Sequence, residues 1–148
     1  MKNKNEDLKM PRAFLSFDLE YNLDDKIYFT NEIVNSSIKF AVRSWSTEFT
    51  RPAFFWDKNV KEKIVRCNFV IVLVDEYTEH SANVLREIHL AKKLNIPLFG
   101  DYIPGIKPNC KLPLGLLRER TIKWNWHLIG TAVSFVMNHE TDKWELLR

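Results

Sequence analysis

"NFVIVLVDEY", residues 68–77, is the stretch that decides the fold. Phe69 to Val74 are all apolar and leave no polar face, so the segment suits a strand buried on both sides. Such a strand belongs in the middle of a parallel sheet covered by helices above and below. Directly downstream, "SANVLREIHLAKK" (residues 81–93) repeats Val84, Ile88 and Ala91 at helical spacing, with Ser81 placed as the N-cap. "NIPLFGDYI" (95–103) then reads as the next strand.

Working back from the central strand, "DKNVKEKIVRC" (57–67) predicts a shorter helix with Val60, Ile64 and Val65 inward. "STEFTRPAFF" (46–55) reads as a loop. Its Phe49, Phe54 and Phe55 suit either a cover over a crevice or a contact with another subunit. "IKFAVRSW" (38–45) alternates as a strand does, and "RAFLSF" (12–17) is a short strand. Between them "DKIYFTNEIVNSS" (25–37) predicts a helix starting near Asn22–Asp25, with Ile27, Phe29, Ile33 and Val34 as core. At the far end "RTIKWNW" (120–126) is an edge strand. "HLIGTAVSFVMNHE" (127–140) is a closing helix, with Trp124 and Trp126 as its packing. Five strands alternating with helices define an α/β fold with a five-stranded parallel sheet and helices on both faces. Right-handed crossovers give the flavodoxin-like order 2-1-3-4-5.

The chain has 148 residues, of which 45% are hydrophobic and 28% charged, the proportions of one globular domain. That domain is expected over residues 12–148, after a polar, disordered leader over 1–11. A net charge of +3 with no basic block argues against nucleic acid as a partner. The two cysteines, Cys67 and Cys110, form no CxxC pair and fit a reducing cytoplasm without a disulfide framework. No apolar stretch resembles a signal peptide or reaches the ~20 residues of a membrane helix. The expected location is therefore cytoplasmic, with no membrane partner.

In a doubly wound sheet, ligands bind at the carboxyl ends of the strands, near the switch between strands 1 and 3. That rule brings together Ser16, Phe17, Asp18 and Glu20 from strand 1, and Ser44, Trp45 and Ser46 from strand 2. Strand 3 adds Asp75, Glu76 and Tyr77, and the following helix adds Ser81, Asn83 and Glu87. The set holds aromatics for stacking and carboxylates for binding hydroxyls or stabilising positive charge. Phe17 and Tyr77 serve equally as rim packing, Ser81 as a plain N-cap, Asp75 as a turn cap and Glu87 as a solvated helix carboxylate. "SFDLEY" (16–21) has no glycine, so no phosphate loop follows strand 1. No His or Cys pattern indicates a metal. A receiver-like phosphoacceptor domain is one alternative, with Asp75 as acceptor, Asp18 and Glu20 on magnesium, and Lys123 near strand 5. "SFDLEY" lacks the adjacent acids such a domain carries at the end of strand 1.

Two stretches carry a family resemblance. "RAFLSFDLEYN" (12–22) resembles the first box of the TIR-like family. "KEKIVRCNFVIVLVDEYTEHSANVLREIHLAKKLNIPLFG" (61–100) is similar to its most diagnostic block, and "IKWNWHLIGTAV" (122–133) matches its end more weakly. The resemblance is closest to the bacterial TIR-like proteins of Thoeris-type antiphage defence. It implies an enzyme that cleaves the nicotinamide glycosidic bond of NAD, with NAD as substrate and no other cofactor. Glu87 falls at the position of the family's catalytic glutamate. Phe17, Asp18, Trp45, Ser46, Tyr77, Ser81 and Asn83 become the implied pocket wall. The implied product is an ADP-ribose-derived signal, either a cyclic isomer or a conjugate. The implied partners are a signal-receiving effector protein, a phage-derived trigger and further copies of the chain in a homo-oligomer. The family often has Trp where this chain has Asn83, four residues before Glu87. That departure keeps a second expectation open, a non-catalytic TIR-like module that binds a nucleotide or protein and signals by assembly.

Overall fold

The computed structural model describes residues 10–148. The leader expected over 1–11 therefore lies, except for Met10 and Pro11, outside the described residues. Five strands, β1 (Arg12–Ser16), β2 (Ala41–Trp45), β3 (Phe69–Val74), β4 (Leu98–Tyr102) and β5 (Thr121–Lys123), form one sheet in the order β2-β1-β3-β4-β5. All four pairings are parallel. The helices are α1 (Leu23–Glu32), α2 (Ala53–Val65), α3 (Ala82–Lys93) and α4 (Trp126–Met137). The expected flavodoxin-like α/β architecture is the observed one.

β3 explains the two layers. All six of its residues are buried. Phe69, Ile71 and Leu73 point into one core with Phe29 of α1 and Ile129, Val133 and Val136 of α4. Val70, Val72 and Val74 point into the other, with Trp56, Val60 and Ile64 of α2 and Val84, Ile88 and Ala91 of α3. The period of two along the strand thus divides one apolar run between two helical layers. None of the described helices is long and apolar enough to cross a membrane.

Several expected core positions are corrected. In α1 only Phe29 is buried, while Ile27 is 47% exposed. The helix ends at Glu32, and the 3-10 turn Ile33–Asn35 leaves Val34 at 84% exposure. Instead of an aliphatic stripe, α1 is anchored by aromatic contacts of Phe29 with Trp124 (5.3 Å between ring centroids) and Trp126 (4.9 Å). The second helix is longer than expected. It begins at Ala53, inside the segment read as loop, with Pro52 as its N-cap residue, and Val65 is exposed. Phe54 and Phe55 are accordingly first-turn helix residues, both exposed. The tail, which carries no periodic pattern, forms a 3-10 turn at Trp144–Leu147 and packs Trp144 against Phe99 and Phe135.

α4 lies very close to the segment that leads into β2. A Cβ on Gly130 would meet Ser37 Oγ and approach the Ile38 backbone nitrogen to 2.9 Å. Gly130→Ala is expected to lower stability by ~1–2 kcal/mol. The steric cost of overpacking outweighs the ~1 kcal/mol helix preference of alanine over glycine. A fall in the urea midpoint with an unchanged m-value would show it; an unchanged midpoint would mean that the segment yields freely.

Candidate functional site

Glu87 lies on the face of α3 that packs on the sheet and is completely buried. Its Oε1 accepts hydrogen bonds from Ser16 Oγ (2.7 Å), Ser46 Oγ (2.7 Å) and, at longer range, Asn83 Nδ2 (3.4 Å). Its Oε2 has no hydrogen-bond partner among the described residues. Each donor is delivered by local structure. Ser16 is the last residue of β1, and the strand alternation puts its side chain on the α3 face, as for Phe14. Ser46 follows β2 and donates its backbone N–H to Leu15 O (3.0 Å), which carries the parallel pairing one residue further. Its hydroxyl also accepts the Phe17 N–H at 3.0 Å. Asn83 is four residues before Glu87 on the same helix face.

Burial raises the Glu87 carboxyl from its ordinary value near 4.5 to about 8; the bonds from Ser16, Ser46 and Asn83 act in the opposite sense without cancelling it. Desolvation dominates because the donors crowd one oxygen while the other has none. At neutral pH the side chain is therefore mainly the protonated acid.

Outside this buried cluster, at the strand ends, is a cleft of about 760 Å³. Its walls include Asp18, Glu20, Glu48 and Glu76, the aromatic rings of Tyr21, Phe49 and Tyr77, and the polar residues Ser81 and Asn83. Tyr21 and Tyr77 are stacked, with centroids 3.9 Å apart and planes 11° from parallel. Asp18 shapes this wall by accepting the N–H groups of Glu20 (2.9 Å) and Tyr21 (3.0 Å), which turns the chain after β1. Among the described residues, no lysine or arginine lines the cleft. The negative field is felt at Tyr21, whose phenol is raised first by Glu20, then by burial, Tyr77 and Asp18. Phe49 is held between Trp56 (5.1 Å between centroids) and the Arg86 guanidinium (5.3 Å). Arg86 in turn makes a two-pronged ion pair with Asp57 of α2, at 3.0 and 2.7 Å. This chain of contacts ties the β2–α2 loop to α3.

The residues expected at the site divide into three groups. Asp18, Tyr77, Ser81 and Asn83 line the cleft. Ser46 and Glu87 are behind its wall, buried and hydrogen-bonded to each other. Phe17 and Trp45 are elsewhere. The Phe17 ring is in the α1/α4 core and only its backbone reaches the site. Trp45 is 44% exposed in a separate depression beside β2 and α1, with Lys26 Nζ 4.1 Å from its ring centroid. Strand alternation turns both rings from the cleft. Ser81 occupies the N-cap position, but its hydroxyl makes no cap bond and donates to Asn83 Oδ1 instead (3.0 Å). Asp75 is a turn cap, accepting Tyr77 N–H at 2.8 Å, and also accepts Asn22 Nδ2 at 2.6 Å. Among the described residues no group of three His, Cys, Asp or Glu side chains is placed to hold a metal ion. Tyr21 joins the site without having been singled out. Its only sequence signal is an aromatic in the turn after a Ser-Phe-Asp strand end.

Fold and site together define a doubly wound α/β protein with a buried, poised carboxylate behind an acidic, aromatic strand-end cleft. No family model matches this chain, and no curated protein matches it.

Proposed function

We propose that this chain is a TIR-like enzyme that cleaves the nicotinamide glycosidic bond of NAD, with Glu87 as its essential carboxylate. One observation carries this more than any other. A single buried glutamate, with one oxygen fixed by Ser16 and Ser46 and the other unpartnered, stands behind the strand-end cleft. The reaction suits one carboxylate. Nicotinamide in NAD is a cationic leaving group, so when the ribose C1′–nitrogen bond breaks, the electron pair neutralises the ring. No general acid is needed, unlike ordinary glycoside cleavage with its pair of carboxyl groups. The ribose is left as an oxocarbenium ion; Glu87, protonated below about pH 8 in the free protein, stabilises it as the carboxylate, the form that the incoming cationic nicotinamide favours. Water then gives ADP-ribose, an atom of the same molecule gives a cyclic isomer, and another small molecule gives a conjugate. Exclusion of water favours the last two. The four cleft carboxylates favour entry of the cationic nicotinamide end and keep the pyrophosphate toward solvent.

In this reading the product is a nucleotide signal in cytoplasmic antiphage defence, made by a homo-oligomer after a phage cue and received by a separate effector protein. The complete burial of Glu87 behind Asn83 favours a second reading, a non-catalytic module that binds its ligand in the cleft alone. Mass spectrometry of small-molecule extracts from phage-infected cells separates the two. The enzyme yields an ADP-ribose-derived species with the wild type and none with Glu87→Gln. The same extracts without any new species, across several phages, would leave the binding module.

A further inference from the structure

Asn83 closes the wall between the cleft and Glu87. One side of it lines the cleft, and its amide reaches inward. That amide makes three hydrogen bonds. Nδ2 donates to the Phe17 carbonyl at 3.0 Å and to Glu87 Oε1 at 3.4 Å, and Oδ1 accepts from Ser81 Oγ at 3.0 Å. A backbone carbonyl can only accept, so the nitrogen belongs on the Phe17 side and the oxygen on the Ser81 side.

We infer that Phe17 O, Glu87 Oε1 and Ser81 Oγ form a subsite for a primary carboxamide, filled in this structure by the side chain of Asn83 itself. Two acceptors and one donor around a planar group match a C(=O)NH2 and mismatch a carboxylate, one oxygen of which would face the Phe17 carbonyl, which has no proton to give. Two of the three groups have anchors besides the Asn83 amide. Glu87 Oε1 retains its two short bonds from Ser16 and Ser46 and loses only its longest one. Phe17 stays anchored through its N–H on Ser46 Oγ. A ligand from the cleft thus exchanges with Asn83, amide for amide. Nicotinamide carries such a carboxamide. Its use of the subsite rests on the NAD-cleaving reading, whereas the subsite itself does not.

Asn83→Ala empties the subsite. Titration of this variant with nicotinamide, acetamide and nicotinic acid, followed by backbone amide NMR shifts at Phe17, Ser81 and Ala82, tests the assignment. Both amides are expected to bind the variant saturably, at least about tenfold tighter than the wild type, with nicotinic acid at least about tenfold weaker than nicotinamide. Equal binding of nicotinamide and nicotinic acid, or no binding of either amide to the variant, would overturn the subsite. Asn83→Ser, smaller and still polar, gives the same test if the alanine variant does not fold. Amide binding without any NAD-derived product leaves the subsite standing and removes the NAD reading. Product formation without amide binding does the reverse.

Discussion

Glu87→Gln is expected to abolish the proposed chemistry and, at the same time, to stabilise the protein against alkaline unfolding. The folded protein keeps the Glu87 proton up to about pH 8, whereas an exposed glutamate loses it near 4.5. Between those values the folded state binds more protons than the unfolded chain, so each rise in pH favours unfolding. The stability that this group supports is whole below the unfolded value and is lost as pH rises through the folded one. Glutamine has the same shape, offers Oε1 to the same three donors and carries no titrating proton. Variant and wild type should therefore unfold alike at about pH 4, diverge through neutrality, and differ by on the order of 5 kcal/mol above the folded-state value. Urea melts across that range measure the difference directly. Parallel curves would mean that Glu87 ionises in the fold as readily as in water, and the poised carboxylate would fall with them. A residue whose replacement removes activity and adds stability is one kept for function at a cost to the fold.

Asp101→Asn should produce the second large effect, on the opposite face of the sheet. Asp101 is in β4 between Leu73 of β3 and Ile122 of β5, on the side of Phe99 and Ile103. It is fully buried and neither carboxylate oxygen has a partner among the described residues. Burial alone drives its carboxyl well above the ordinary range. A charge there would have no counter-ion, and an unpaired buried ion costs on the order of several kcal/mol. The direction matches that for Glu87: the folded state holds the proton, and stability is lost as pH rises from the unfolded value toward the folded one. Replacement by the neutral amide is expected to raise the urea midpoint at mildly alkaline pH and to matter little in acid. Because Asp101 faces the α1/α4 layer and Glu87 the α2/α3 layer, the two gains should add in the double variant. Destabilisation by Asp101→Asn at every pH would instead reveal a protonated carboxyl that donates a bond the amide cannot replace.

Much of the fold was legible because apolar periodicity is a local property. "FVIVLV" could only be a strand with two covered faces, and Val84, Ile88 and Ala91 could only share one helix face. Boundaries were less legible where tertiary packing overrides the pattern. Phe54 and Phe55 read as loop residues, yet the chain is already helical there, because helix starts depend on backbone geometry as much as on apolar spacing. Ile27 and Val34 looked like core, yet Phe29 with Trp124 and Trp126 supplies the packing and leaves both outside.

By itself the sequence determined the α/β class, the strand order, the end of the sheet where a cleft forms and the carboxylates and hydroxyls that gather there. It did so because alternation and crossover handedness leave few arrangements of this chain. Only the tertiary structure decided which side of each strand faces the cleft. Ser16 and Ser46 thereby reach Glu87, whereas Phe17 and Trp45 turn elsewhere. It also decided that Glu87 is an enclosed, poised acid and not a rim carboxylate. Burial and the count of donors on each oxygen belong to several segments at once, and no single stretch of sequence encodes them.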